Sequence, residues 1–299
     1  MQISKNNSPF RYPGGKASLT AFIAEIAELN DLQGGKYMEL YAGGAGAAIN
    51  LLFGGVFSHI HINDLDTRVF AAWYAILEET EAFCELIMNT PVSIEEWHKQ
   101  KDIFKKGIAD DYLKLGFATF FLNRTNRSGI IFNAGPIGGF SQKGNYKIDV
   151  RFNKAKLIER IRKIAGFKDH ITLTNKDALS VLKNINSFAA SSEKVFIYLD
   201  PPYYKKGAHL YMNNYSHLDH KALSEELAIF DKKYSWMVSY DNVSQIRNLY
   251  LEYRKSTFNL KYSLQEKKEG SELVVFSPNI NLPATIIVNK QSQDLNLIA

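Results

Sequence analysis

Short apolar segments alternate with segments of helical periodicity along most of the chain, and this alternation restricts the possible folds more than any other feature. The apolar segments short enough for buried strands are 37–41, 56–62, 171–174, 195–199 and 235–239, and helical periodicity is found in 19–32, 45–53 and 69–88. Strands that alternate with helices form βαβ units with a mostly parallel sheet. Near the C-terminus, 258–264 and 273–276 flank a polar turn and predict an antiparallel hairpin. The predicted fold class is α/β.

The segment 90–165 interrupts this alternation and is too long for a simple connection. Between Trp97 and Lys163 the chain has 15 Lys and Arg against 5 Asp and Glu, whereas the net charge of the whole chain is only +5. A basic block in an otherwise acidic frame is typical of a surface that binds a polyanion, although a solvated charged face gives the same pattern. We predict an inserted, mainly helical lobe over 90–165, with 1–89 and 166–299 forming one domain.

Composition excludes several classes of protein. Of the 299 residues, 45% are hydrophobic, which suffices for a core. The single cysteine, Cys84, rules out an intrachain disulfide and a thiolate metal cluster, and its apolar surroundings predict a buried residue. We find no signal-like apolar segment at the start and no run of transmembrane length, so we expect a cytoplasmic protein.

A glycine-rich turn follows the first predicted strand, in the run Glu39-Leu40-Tyr41-Ala42-Gly43-Gly44-Ala45-Gly46. Glycine allows a sharp turn and a close approach of the backbone to a ligand. Asp64 follows about 20 residues later at the end of the next strand, where an acid can hold ribose hydroxyls. The pattern suits a dinucleotide or S-adenosylmethionine, and Ile49 at the third small-residue position weakens the dinucleotide alternative. Alone, the turn is also compatible with an ordinary tight turn.

The N-terminal run Arg11-Tyr12-Pro13-Gly14-Gly15-Lys16 precedes a predicted helix. It offers backbone N–H groups and a cation, which suit the carboxylate of a methionine moiety, although a solvated loop is also possible.

The run Asp200-Pro201-Pro202-Tyr203 follows the apolar strand 195–199 directly and is the most informative motif of the chain. Each proline fixes its own φ and removes an N–H donor, so the turn is stiff and offers mainly acceptors. An exocyclic amine has two hydrogens to donate, and its nitrogen becomes a better nucleophile when they are accepted. Tyr203 supplies a flat face for a base. We therefore predict direct methyl transfer to an amine by positioning and electrostatics, without a covalent enzyme intermediate.

Four motifs occur in the order of a known family: the runs that begin at Tyr12 and Glu39, the pair Asn63-Asp64, and the run that begins at Asp200. Together they resemble the α-group of amino-methyltransferases, the Dam-like (D12 class) DNA adenine methylases. The resemblance extends from Tyr12 to about Pro278 and includes Asn63-Asp64. It implies a Rossmann-like methyltransferase sheet, S-adenosylmethionine as the cofactor, and the N6 amine of an adenine flipped out of double-stranded DNA as the target.

The resemblance also implies roles for single residues. The cofactor would be held by Tyr12, Gly14, Gly15, Lys16, Glu39, Tyr41, Ala42, Gly43, Gly44, Asp64, Asp177 and Asp200. Asp200 and Pro201 would engage the target amine, with Pro202 in the same turn, and Tyr203 would stack on the base. Asp177 would accept from the adenine amine of the cofactor. No metal is expected, since His217 and His220 have no acidic or thiolate partner at ligand spacing.

The family places its target-recognition lobe in the basic insert. The candidate DNA-binding residues there are Asn123, Arg124, Asn126, Arg127, Asn133 and Lys143. Arg can bond guanine and Asn adenine in the major groove, but contact with phosphate or a structural role is the more common use of such residues. Because the segment Ile131-Phe132-Asn133-Ala134-Gly135 departs from the arrangement of GATC-specific members, GATC specificity is not carried over.

Three alternatives remain open at this stage. The first is transfer to the amine of cytosine or to RNA, against which Asp200 argues, because enzymes for the cytosine amine more often have Ser or Thr there. The second is a nucleic-acid-binding homologue without activity, and the third is a dinucleotide oxidoreductase. We expect a monomer, with a restriction endonuclease as a possible partner in the same system.

Overall fold

A computed structural model of the protein describes residues 7–12, 15–107, 110–189, 193–205, 215–230, 233–261, 269–288 and 291–298. Its main feature is an eight-stranded sheet with the strand order β10-β6-β7-β5-β4-β1-β2-β3. The parallel part consists of β1 (Lys36–Glu39), β2 (His59–Asn63), β3 (Ile171–Thr174), β4 (Val195–Leu199) and β5 (Ser235–Asp241). The antiparallel part consists of β6 (Arg254–Lys261), β7 (Glu269–Phe276) and β10 (Leu297–Ile298), and β8 (Thr285–Val288) pairs with β9 (Gln291–Asp294) apart from the main sheet. The predicted α/β class and the C-terminal hairpin are confirmed.

The helices follow the predicted alternation. They are α1 (Thr20–Leu29), α2 (Gly46–Phe53), α3 (Thr67–Glu78), α4 (Thr80–Asn89), α5 (Ile94–Lys106), α6 (Tyr112–Thr125), α7 (Lys154–Ala165), α8 (Ala178–Lys183), α9 (His217–Phe230) and α10 (Ser244–Leu249). Several begin at a side-chain cap that the sequence supplies. Asp66, Ser93, Asp111, Asn153 and Asp177 each accept a hydrogen bond from a backbone N–H in the first turn of the helix that follows.

The segment 69–88 is helical as predicted, but it forms two helices with a break between them. Glu79 lies between α3 and α4 with φ −121° and ψ 34°, outside the helical region. The break changes the direction of the chain, and Phe83 of α4 then packs against Phe120 of α6, with ring centroids 5.3 Å apart.

The two faces of the sheet bury different side chains, as the period of a strand requires. In β4, Phe196 and Tyr198 belong to the larger hydrophobic cluster, whereas Val195, Ile197 and Leu199 belong to the other. Helices α1 to α7 contribute to the larger cluster and α8 to α10 to the smaller one. The helices of the basic segment, α5 to α7, thus share a core with α3 and α4, and the division into two domains stays a prediction.

The order of the parallel strands places a crevice at the sheet's centre. The chain proceeds from β1 outward to β3 and then returns to β4 on the other side of β1. At such a switch point the loops after neighbouring strands diverge and leave room for a ligand at their carboxyl ends. The loops after β1, β2, β3 and β4 contain Gly43, Asp64, Asp177 and Asp200. Among the described residues, no helix has the length and apolar character needed to cross a membrane.

Candidate active site

The glycine turn after β1 is held from two sides. Gly43 donates its N–H to Asp64 Oδ2 at 2.8 Å, and the indole Nε1 of Trp73 donates to the Gly43 carbonyl at 2.8 Å. Gly43 has φ +47°, and a Cβ there would lie 2.9 Å from the ring of Tyr12. Only glycine satisfies both conditions without strain. The turn is therefore a fixed, side-chain-free edge against which a ligand can lie.

Two carboxyl groups lie beside this turn, Glu39 buried and Asp64 half-buried. Glu39 at the end of β1 accepts from the N–H of Ala48 in α2, and burial raises its pKa to about 8. Asp64 accepts from Gly43 and from the N–H of Asp66, and burial, with a smaller contribution from the charge of Asp66, raises its pKa to about 7. Asn63 ties three strand ends together, because its Nδ2 donates to the carbonyls of Leu40 and Lys176.

A single cleft, with an empty volume of about 1100 Å³ including its open mouth, connects these groups to Asp200. Every predicted cofactor residue in the described part of the chain lines it: Tyr12, Gly15, Lys16, Glu39, Tyr41, Ala42, Gly43, Gly44, Asp64, Asp177 and Asp200. Gly14 lies outside the described residues. Pro202 of the second motif and Phe132 of the basic segment also line the cleft. The two predicted sites thus open into the same space.

The carboxylate of Asp200 is held by two donors. Ser239 Oγ donates to its Oδ1 at 2.8 Å, and Lys16 Nζ donates to its Oδ2 at 2.8 Å. Ser239 is itself hydrogen bonded to the hydroxyl of Tyr198 at 2.7 Å. The side chain of Asp200 keeps 15% of its surface exposed, so ligands can still reach it. A carboxylate offers about four acceptor directions, which leaves capacity for an amine hydrogen.

Lys16 has anionic partners of its own in this structure. Its ammonium lies 2.8 Å from Asp200 and 3.6 Å from Glu272 Oε2, and donates to the hydroxyl of Tyr203 at 3.0 Å. Only 2% of its side chain is exposed. A buried ammonium needs anionic partners, and the two carboxylates provide them. Lys16 also lines the cleft, so its predicted contact with the methionine end of the cofactor stays a prediction.

Tyr203 also belongs to this network. Its hydroxyl donates to Glu272 Oε1, and the Lys16 ammonium lies 5.4 Å from the centre of its ring. Pro201 and Tyr203 are buried. Stacking of Tyr203 on a target base stays a prediction. Asp241 at the end of β5 accepts from the N–H groups of Tyr204 and Lys205 through its carboxylate.

Sequence reasoning missed Glu272 and Ser239. Glu272 is 1% exposed and lies on β7, opposite Asp241 of β5. Its signal was a carboxylate at the head of the apolar run Leu273-Val274-Val275-Phe276, where burial demands a partner. Ser239 gave no comparable signal, since its strand segment Ser235-Trp236-Met237-Val238-Ser239 has a serine at each end.

The predicted DNA-binding residues fall into two groups. Asn123 and Asn126 are fully buried: the amide of Asn123 bonds Arg11 and the Gly129 carbonyl, and that of Asn126 bonds Trp97 and the Ile130 carbonyl. Because both amides are used inside the protein, we correct their role to a structural one. Arg127, Asn133 and Lys143 are exposed, and Arg124 is half-buried. A direct contact of these four with DNA stays a prediction.

Among the described residues, no group of three or more His, Cys, Asp or Glu side chains could hold a metal ion. No curated protein sequence matches the chain.

Several solved structures have a related overall fold, at 12% sequence identity or less. An rRNA methyltransferase from Streptomyces viridochromogenes matches with a TM-score of 0.38 and 12% identity over 92% of this chain and 91% of that one. TrmK of M. capricolum, solved with S-adenosylhomocysteine, matches with a TM-score of 0.37 and 8% identity over 86% and 69%. An uncharacterised protein from Listeria monocytogenes matches with a TM-score of 0.37 and 8% identity over 85% of this chain and 66% of its own length.

The sequence itself carries a more specific relationship. The model of one protein family matches residues 12–269, which include the glycine turn, Asp64, Asp177 and the run Asp200-Pro201-Pro202-Tyr203. The chain belongs to the D12 class N6 adenine-specific DNA methyltransferases, which use S-adenosylmethionine as cofactor.

Proposed function

We propose that the protein methylates the N6 amine of an adenine that has left the base stack of double-stranded DNA. One observation carries this proposal: Asp200 and the Gly43-Gly44 turn line the same cleft, so a methyl donor and an amine can meet between them. The amine inside a duplex is not accessible to such a cleft, which is why extrusion of the base is part of the proposal.

The chain's own residues fit the cofactor. The turn with Gly43 and Gly44 leaves a cradle that a Cβ would partly fill, since a Cβ on Gly44 would lie 3.1 Å from Tyr12. Asp64 would hold the ribose hydroxyls, because two of its acceptor directions remain beside the two backbone bonds. Asp177 at the rim would accept from the adenine amine. When bound, S-adenosylmethionine supplies a methyl group on a positively charged sulfur.

Asp200 is the catalytic residue of this proposal. Its position is fixed by Ser239 and Lys16, so it is ready to accept one hydrogen of the target amine without reorganisation. Accepting that hydrogen increases electron density on the nitrogen, and the same carboxylate can receive the proton that the methylated nitrogen must lose. Pro201 has no N–H, so its carbonyl offers a second acceptor without a competing donor.

Lys16 and Glu272 set the net charge around Asp200. Two carboxylates share one ammonium, so the catalytic end of the cleft keeps a net negative charge that suits a cationic sulfur and an amine. The basic segment 90–165 is proposed as the DNA-binding part, and Phe132 links it to the cleft.

The experiment is transfer of a tritiated methyl group from S-adenosylmethionine to duplex DNA, with Asp200→Ala compared against the wild type. We expect the variant to retain DNA binding and to lose transfer by at least about a thousandfold. Sequencing of methylated genomic DNA from a host that expresses the chain then gives the recognition sequence. Undiminished transfer by Asp200→Ala would refute the role of Asp200.

A further inference from the structure

Four arginines meet on the side of the N-terminal segment that faces away from the cleft. Ser8, Phe10 and Tyr12 line the cleft, whereas the guanidinium of Arg11 lies against α6 and donates to the carbonyls of Arg124 and Asn126. Arg124, near the end of α6, donates to the carbonyls of Arg151 and Pro9. We call Arg11, Arg124, Arg151 and Arg160 the arginine cluster.

The partners of this cluster are backbone carbonyls. Arg160 on α7 donates through Nη1 to the Ser8 carbonyl at 2.7 Å, and Arg11 likewise uses its Nη1 for both of its carbonyl bonds. A guanidinium has five N–H donors, so most of the donors of Arg11 and Arg160 remain for a ligand. The side chain of Arg151 is exposed.

The positive charges of the cluster lie close enough to repel one another. Burial and then the charges of Arg11, Arg160 and Arg151 lower the pKa of Arg124, and burial and then Arg151 lower that of Arg11. At Arg160 the neighbouring charge that opposes this is Glu159. Holding four cations together costs free energy, and an anion relieves that cost with charge-assisted, bidentate hydrogen bonds.

We propose that the arginine cluster binds the backbone phosphates of DNA next to the extruded adenine. This rests on the proposed function. The position supports it, because Arg11 lies between two residues that line the cleft, so phosphates at the cluster would belong to nucleotides near the one inside it. A phosphodiester group suits four neighbouring guanidinium groups because it is anionic and accepts several hydrogen bonds. Such a contact positions the duplex without reading its sequence.

The test is the salt dependence of binding to a fluorescent 20-base-pair duplex, measured by anisotropy between about 50 and 200 mM salt. Each phosphate contact contributes about 0.9 to the slope of log affinity against log salt concentration. We expect Arg151→Gln to reduce the slope by about 1 and Arg151→Gln with Arg160→Gln by about 2. Arg162→Gln is the matched control. Arg162 lies on α7 with Arg160, but its side chain is 57% exposed and forms an ion pair with Glu81. This variant is expected to leave the slope unchanged.

A second arm places neutral methylphosphonates beside the adenine that the protein methylates. The wild type should bind this duplex more weakly than the unmodified one. The double variant should bind the two duplexes equally, because the phosphates concerned no longer contribute to its affinity. Arg151 is exposed, so its single variant answers the question even where the double variant folds poorly. Wild-type slopes in both arginine variants would overturn the phosphate site.

The two proposals fail in different ways. Absence of methyl transfer to any DNA would overturn the proposed function, whereas the slopes on an arbitrary duplex would still decide on the cluster. Conversely, unchanged slopes combined with normal N6 methylation would overturn the cluster alone.

Discussion

At the scale of single residues, Asp200 and Glu272 share one cation, Lys16. Lys16 is placed between Asp200 and Glu272, and Tyr203 joins Glu272 to the same ammonium. Glu272 does not line the cleft in this arrangement but limits how tightly Lys16 holds Asp200. We therefore regard Glu272 as a positioning residue that acts through Lys16.

Replacement of Glu272 by Gln tests this role. When Glu272 loses its charge, the ammonium of Lys16 interacts with Asp200 alone. It then competes more strongly with the target amine for Asp200 Oδ2. We expect the single-turnover rate of methyl transfer to fall by roughly tenfold to a hundredfold, while the dissociation constant of the cofactor changes by less than about threefold. Rapid-quench kinetics and calorimetry measure the two quantities, with the exposed Glu252→Gln as control. A loss of cofactor affinity equal to the loss of rate would show a general structural role instead.

At the scale of elements, the turn between β1 and α2 is constrained by packing as well as by backbone conformation. Gly43 and Gly55 both have positive φ values, +47° and +66°. A Cβ on Gly43 would meet the ring of Tyr12 at 2.9 Å, whereas a Cβ on Gly55 would find no atom within 4 Å. The pair therefore separates the cost of the backbone from the cost of the contact.

Alanine at either position is expected to destabilise the fold by about 1 kcal/mol through the backbone. Gly43→Ala should lose about 1–3 kcal/mol more, because the ring of Tyr12 has to move, and should also bind the cofactor more weakly. Urea unfolding and calorimetry check both effects. Equal stability and equal cofactor affinity in the two variants would contradict the close packing at Gly43.

At the scale of the whole molecule, buried carboxyl groups make stability depend on pH. Burial raises the pKa of Glu39 from 4.5 to about 8, so the neutral form is favoured in the folded state. The stability this contributes is fully present below about pH 4.5 and is lost as the pH rises to about 8. Asp64, with a pKa raised to about 7, acts in the same direction.

Glu39→Gln removes the ionisation from this site. The variant is expected to gain stability relative to the wild type between pH 5 and pH 8, by an amount on the order of 2–4 kcal/mol. Thermal unfolding followed by circular dichroism at the two pH values measures it, and the exposed Glu28→Gln controls for the loss of one carboxylate. A difference between variant and wild type that does not change with pH would contradict a neutral Glu39.

Local sequence signals predicted the scaffold well and the network poorly. The bounds of β4 follow from an apolar run that ends at Asp200, those of β3 agree with the predicted strand 171–174, and the cleft lies where both strands end. Lys16 and Glu272 are separated by most of the chain, so their pairing required the β5–β7 register that brings Glu272 opposite Asp241. The Asn residues of α6 show the same limit, because the sequence of a polar helix end does not reveal which side chains turn inward.

The central claim is that the cleft joins the cofactor to the amine of adenine in DNA. It is tested most directly by incubating the protein with S-adenosylmethionine and unmethylated duplex DNA, digesting the DNA to nucleosides and identifying the methylated product by mass spectrometry. The account predicts N6-methyldeoxyadenosine from the wild type and none from Asp200→Ala. N4-methyldeoxycytidine as the product, or methylation of RNA with none of DNA, would contradict it.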